Sequence, residues 1–157
     1  MPLIIPATLW TEAIDILRRP PHDLERIVYL DGPRPVVATA VATTLTVPFA
    51  NEHEGHFYVT PDEMSRAGRH LRYLGMTRLA QLHTHPTDWT GHSLHDDEMA
   101  FSQRDGAISI VVPDFAGTAP GLQDCGIHIR EAQGWRELNH REKPQTVRIL
   151  PSLIDLR

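Results

Sequence analysis

The chain has 157 residues, of which 41% are hydrophobic and 22% charged, a size and apolar content that suit one domain with a substantial core. Its net charge of −5, with no run of Lys and Arg, excludes the electrostatic footprint of a protein that works by neutralising phosphates, so nucleic acid is not an expected partner. Cys125 is the single cysteine and has no partner for an internal disulfide, which fits a reducing compartment.

In chain order, Met1 to Trp10 lacks a positively charged start and is broken by Pro2 and Pro6, so no signal peptide is expected. No apolar run reaches the length of a membrane span, and the expectation is a cytoplasmic protein that does not enter the membrane. Apolar residues at Leu9, Trp10, Ala13, Ile14, Ile16 and Leu17 predict a helix from Leu9 to Arg18, closed by Pro20-Pro21. Arg26 to Leu30 reads as a strand and Asp31-Gly32 as a turn. The β-rich stretch Pro35 to Pro48 supplies the partner strand of a hairpin running from Glu25 to about Val47.

Asn51 to His56 is polar and reads as a loop, followed by a short strand at Phe57 to Val59. Thr60-Pro61-Asp62-Glu63 is a capping-box signal with Pro at the first helical position, predicting a helix from Pro61 to Leu74 that Gly75 ends. Thr77 to Leu82 reads as a strand, Ser93 to about Gln103 as a helix, and Ala107 to Val112 as a strand stopped by Pro113. Phe115 to Gly126 reads as a loop, and 126–132 with 134–138 as a hairpin. The tail from residue 139 to Arg157 is charged and then apolar, suited to packing on the body or on a partner. The mixture of elements predicts an α/β (α+β) domain over 1–157, with one mixed sheet and helices packed on it.

The chemistry concentrates between Leu82 and Phe101. On a strand alternate side chains share a face, so His83 and His85 point the same way, and Pro86 then ends regular pairing. Ser93 is a favoured N-cap and places Asp96 in the first turn of the following helix, where a carboxylate suits the helix dipole. Two imidazoles and one carboxylate, with a fourth position left for water, make the open tetrahedral set of catalytic zinc.

His83, His85, Ser93 and Asp96 fit the pattern His-x-His, seven residues, Ser-x-x-Asp at every fixed position. This resembles the JAMM (MPN-plus, JAB-domain) family of zinc isopeptidases, over about residues 9 to 138. The resemblance implies a sheet with packed helices, related in architecture to cytidine deaminases. It also implies one zinc ion on His83, His85 and Asp96 that carries the nucleophilic water.

The family's general base is a Glu in a pattern like Glu-x-x-Gly-x-Leu-x-Gly. Here Glu25, Leu30 and Gly32 fit while Val28 replaces the middle glycine, so Glu25 is the expected base, with Glu52 and Glu54 in reserve. Ser93 is both an N-cap and, by resemblance, a donor to the developing oxyanion.

The resemblance implies cleavage of a ubiquitin-like protein from a lysine or a precursor. Substrate is expected to add as a strand beside the sheet, with the loops 48–57 and 113–126 as contacts and proteins of E1 and E2 type as pathway partners. A small-substrate zinc amidohydrolase or peptidase, and a non-catalytic scaffold, are the alternatives.

Among the other histidines, His53-Glu54-Gly55-His56 is one residue short of the helical zincin motif and reads as a loop at the groove rim. His92 and His95 read as solvated or outer contacts, Trp89 as a wall of the site or exposed filler, and Cys125 as a small buried residue unpaired with His128.

Overall fold

The protein is described as a computed structural model covering residues 1–36 and 38–157. Strand β1 (Leu3–Pro6) leads into helix α1 (Ala7–Leu17), whose Trp10, Ala13, Ile14 and Leu17 are buried at the spacing of one helical face. Then follow β2 (Ile27–Pro33), β3 (Ala40–Val41), β4 (Thr44–Thr46) and the small hairpin β5 (Asn51–Glu52) and β6 (Phe57–Tyr58). Helix α2 (Pro61–Tyr73) starts as predicted: the Thr60 hydroxyl accepts from Glu63 N at 3.2 Å, and Gly75 at φ 70° lies just beyond its end. The chain continues through β7 (Met76–Thr84), α3 (Leu94–Met99), β8 (Ile108–Val112), β9 (Gly126–Glu131), β10 (Gly134–Glu137), α4 (Lys143–Thr146) and β11 (Val147–Leu150).

The main sheet has the order β10-β9-β8-β7-β2-β4, with β7 and β8 parallel and the other pairs antiparallel. A second, parallel sheet has the order β11-β1-β3. One face of the main sheet contributes Val28, Leu30, Ala80, Leu82, Ile108 and Ile110 to an apolar core with α1 and with Leu3, Ile5 and Val147 of the second sheet. The opposite face carries Ile27 and Tyr29 packed with Phe57 and Val59, and beside them the polar row Gln81, His83 and His85. Period-two alternation therefore gives β7 an oily side and a chemical side, both buried from Ala80 to Thr84.

The tail joins the body, since Val147 to Leu150 pair with Leu3 to Pro6. Asp31 and Gly32 do not turn: they continue β2 past a bulge at Leu30/Asp31. Asp31 is fully buried and takes Arg78 Nε at 3.1 Å and the Thr46 hydroxyl, which removes the exposed polar end a turn would offer. The predicted partner strand divides, with Ala40–Val41 going to the second sheet and Thr44–Thr46 to β2; Val37, within that stretch, lies outside the described residues. Residues 51–58 form a hairpin rather than a plain loop, and α3 stops at Met99 because Ala100 is extended (φ −58°, ψ 139°).

Among the described residues, no helix is long and apolar enough to cross a membrane. Gly32 is required by close approach, because a Cβ there would lie 2.2 Å from the Val41 carbonyl oxygen. Gly32→Ala is expected to destabilise the fold by roughly 1–3 kcal/mol through forced backbone movement. Urea unfolding measures this, and an unchanged midpoint contradicts the contact.

Candidate metal centre

Strand β7 delivers His83 and, one residue past its end, His85 to the same face, and the parallel neighbour β8 holds that end in place: His85 N donates to Val112 O at 2.9 Å. A turn at Asp114, Phe115 and Ala116, all with φ between 51° and 59°, bonds the same stretch through Phe115 N to His85 O at 2.8 Å. Three consecutive left-handed residues other than glycine store strain, a feature that gathers at functional sites. The chain then loops back to Ser93, which caps α3 as predicted: its hydroxyl accepts from Asp96 N at 3.1 Å, and Asp96 Oδ2 accepts from Ser93 N at 2.7 Å.

The result brings the three predicted ligands together. His83 Nε2 lies 3.2 Å from Asp96 Oδ1, and His85 Nε2 lies 3.2 Å from Asp96 Oδ2. One ligand atom from each residue falls within 4.8 Å of the others, and all three side chains are buried. A tetrahedral ion with bonds of about 2.0–2.1 Å separates neighbouring donors by roughly 3.3 Å, so the spacing suits zinc.

The hydrogen bonding supports the fit. His85 Nδ1 donates to Trp89 O at 3.0 Å, which leaves its Nε2 lone pair turned towards a carboxylate. His83 Nε2 is near Asp96 but not aligned for a hydrogen bond, and neither nitrogen of this fully buried ring has a hydrogen-bond partner among the described residues. A buried carboxylate set between two imidazole nitrogens, one of them on a ring with no hydrogen-bond partner among the described residues, suits a shared cation.

Electrostatics agree. Burial opposes ionisation of Asp96, yet His83 and His85 overcome it and hold its pKa well below the usual carboxylate range. Burial lowers the pKa of His83 against the pull of Asp96. At His85 burial also opposes the charge, but Asp96 prevails and the pKa rises.

Glu25 stands where the antiparallel register of β2 and β7 puts it, opposite His85: Arg26 N bonds Thr84 Oγ1 at 2.9 Å, Thr84 N bonds Arg26 O at 3.0 Å, and Ile27 pairs with His83. It lines a cleft of about 210 Å³ with Gly55, His85, Trp89, Ser93, His95 and Asp96. Only 5% exposed, its carboxyl is pushed up to about 7, chiefly by burial, with His85 opposing and Asp96 adding to the rise. Of the reserves, Glu52 is tied to Arg26 at 3.2 Å and Glu54 is exposed; neither lines the cleft.

Ser93 lines the cleft too, but its hydroxyl hydrogen points to Asp96 Oδ2 at 2.8 Å, so a role as oxyanion donor requires that hydrogen to swing outwards. Trp89 is half exposed, stacks on His85 at 5.1 Å and walls the cleft. Its indole lies over Gly91, where a Cβ would meet the ring at 2.6 Å.

His53 and His56 stack on each other at the exposed rim, and His95 bonds Phe57 O at 3.0 Å. The stretch 113–126 does not line the cleft; it props the site from behind. Cys125 is buried, with its thiol pushed up to about 12 by burial, and His128 bonds Thr90 O instead.

His92 corrects the expectation of a solvated side chain. Its Nδ1 lies 2.8 Å from Asp97 Oδ1 and its Nε2 2.9 Å from Ser109 Oγ, and its ring stacks on His128 at 4.0 Å. Burial, with His128 and His83 alongside, pushes it down to about 3. Ser109 comes from a different strand, so no local spacing signals this pairing.

No protein-family model matches the chain. A stretch of 58 residues, 37% of the chain, is 41% identical to a probable metalloprotease of Sinorhizobium fredii, and it spans 35% of that relative's length. The solution structure of a protein from Desulfitobacterium hafniense is similar over 96% of this chain and 94% of its own, with 17% identity and a TM-score of 0.67. A second solution structure, from Salinibacter ruber, is similar over 88% and 89%, with 14% identity and a TM-score of 0.57. These two share the fold. A crystal structure of a JAB1/MPN domain protein from Archaeoglobus fulgidus aligns over 94% and 98% at 17% identity, with a TM-score of 0.47.

The raised pKa of Glu25 has a consequence for stability. Near pH 4 and below, both folded and unfolded chains hold the proton; between 4.5 and about 7 the unfolded chain ionises first and the fold loses stability; above 7 the loss is complete. Glu25→Gln removes it, so at pH 8 the metal-free variant should exceed the native protein by about 1–2 kcal/mol, allowing for solvent at the cleft mouth. At pH 4 the two should coincide. Equal urea midpoints at both pH values contradict a buried, uncompensated Glu25.

Proposed function

We propose that this JAMM/MPN-like domain is a zinc metalloprotease of isopeptidase type that releases a ubiquitin-like protein, or a similar extended tail, from a lysine side chain or a precursor. The observation that carries the reading is the convergence of His83, His85 and Asp96 within 4.8 Å, with Glu25 lining the same cleft. Support also comes from the motif spacing and from the stretch similar to a probable metalloprotease.

His83 and His85 would each offer Nε2 and Asp96 a carboxylate oxygen. Bound there, zinc supplies a Lewis acid and a water that is nucleophilic at neutral pH. The remaining work falls to this chain. Glu25, poised near neutrality, takes the proton of the attacking water on its carboxylate and returns it to the leaving nitrogen. Ser93 re-aims its hydroxyl from Asp96 to the carbonyl oxygen as charge develops there. Trp89 shields His85 and narrows the approach, and Gly55, at the turn of the β5–β6 hairpin, gives an extended substrate room to pass.

A ubiquitin-like substrate is favoured over a small amide because the cleft reaches Gly55 at the turn of the β5–β6 hairpin, whose edge suits strand addition. The E1- and E2-type partners of such a pathway and a cytoplasmic site of action belong to this same proposal.

Asp96→Ala is expected to lose both zinc and hydrolysis. Glu25→Ala should bind zinc within a few-fold of native and lose about 100- to 10,000-fold in kcat. An undiminished rate for Glu25→Ala removes it as the base. Ser93→Ala should reduce kcat by up to about 1,000-fold if its hydroxyl serves the oxyanion, and should lower only stability, by about 1 kcal/mol, if it is a cap alone. Comparing kcat/KM on a ubiquitin-like conjugate with that on short peptides separates the isopeptidase from a small-substrate hydrolase. A zinc-loaded protein that cleaves neither supports a scaffold.

A further inference from the structure

The polar face of the sheet holds a hydrogen-bonded chain that the mechanism above does not use. Gln81 lies two residues before His83 on the same face of β7, and its register partner on β8 is Ser109. Gln81 is 1% exposed and Ser109 is fully buried. The Gln81 amide reaches two places: Oε1 accepts from Phe101 N at 2.9 Å, just beyond the C-terminal end of α3, and Nε2 donates to Ser109 Oγ at 3.0 Å. Ser109 Oγ is in turn 2.9 Å from His92 Nε2, and His92 Nδ1 is 2.8 Å from Asp97 Oδ1, in the first turn of α3.

The proton positions follow from this inventory. Because Gln81 Oε1 takes the Phe101 N–H, its Nε2 must be the donor to Ser109; the Ser109 hydroxyl hydrogen is then free for His92 Nε2, and the imidazole proton sits on Nδ1 and goes to Asp97. Every member is satisfied and the chain runs in one direction.

We infer that Gln81, Ser109 and His92 are positioning residues that clamp both ends of α3 to the ligand strand, setting Asp96 against His83 and His85 before any ion arrives. The six-residue helix is too short to hold its place by its own hydrogen bonds. Its outer face is solvated, with Leu94 75% exposed, so little apolar packing fixes it. Its attachment to the main sheet runs through Gln81 at one end and His92, by way of Asp97, at the other, while His95, bonded to Phe57 O at 3.0 Å, ties its outer turn to β6. Since Gln81 and His83 share one rigid strand, a shift of the helix would have to break this chain before it could separate Asp96 from the imidazoles. His128, stacked on His92 and bonded to Thr90 O at 2.8 Å, closes the far side of the clamp.

The inference rests on the metal reading, and the test separates the two. Native protein, Ser109→Ala, His92→Ala and Asp96→Ala are compared by zinc competition against a chelating dye, by the visible spectrum of the cobalt(II) form and by the thermal midpoint of the metal-free form. Ser109→Ala deletes a single hydroxyl and serves where His92→Ala fails to fold. The clamp predicts that Ser109→Ala and His92→Ala bind zinc about 10- to 100-fold more weakly, as removal of outer supports of a metal site does, with a weakened and displaced cobalt band. A lowered thermal midpoint with native zinc affinity and an unchanged cobalt spectrum overturns it, because that is the signature of a merely structural network. Native zinc affinity in Asp96→Ala as well removes the metal site itself.

Discussion

The structure depends on one electrostatic arrangement: the carboxylate of Asp96, buried, lies 3.2 Å from the Nε2 atoms of both His83 and His85. Removing a carboxylate from water is costly unless positive charge or strong donors compensate, and here part of the compensation is the pair of imidazoles. His85 commits its other nitrogen to the Trp89 carbonyl, and His83 has no hydrogen-bond partner on either nitrogen among the described residues. A group of side chains held this way is unfavourable by itself and favourable around a cation.

The fold is arranged to hold that group still. Strand β7 sits centrally in the main sheet, between β2 and β8, so its terminus is braced on both sides. The apolar core with α1 fills one face, and the site occupies the other, where Phe57 packs against His83 at 5.5 Å. The antiparallel register of β2 brings Glu25 opposite His85 without any motif-level contact between them in sequence. The left-handed turn at 114–116 anchors the backbone after the ligands, a local strain offset by the bonds it makes to His85 and Thr87.

Much of this was legible in the sequence where the signal is local. The His-x-His pair on a strand, the Ser-x-x-Asp cap and the Thr60 N-cap each work within four residues, and each folds as its chemistry suggests. Glu63, however, turns its carboxylate to Phe49 N and Arg66 instead of closing a capping box on Thr60. The β9–β10 hairpin and α1 follow from periodicity in the same way. Long-range pairing left no such mark. Strands β1 and β11 meet across nearly the whole chain, and neither Leu3–Pro6 nor Val147–Leu150 carries a pattern that names the other. Asp31-Gly32 has turn composition, yet Arg78 and Thr46, brought from distant positions, neutralise Asp31 inside the sheet. His92 looked solvated because its partners Ser109 and His128 lie on other strands.

The central claim is that His83, His85 and Asp96 hold one zinc ion with a position left for water. X-ray absorption at the zinc edge of the loaded protein reads that shell directly. The account predicts two imidazole nitrogens and two oxygens at about 2.0–2.2 Å. A shell of six oxygens, or one without imidazole scattering, would contradict it.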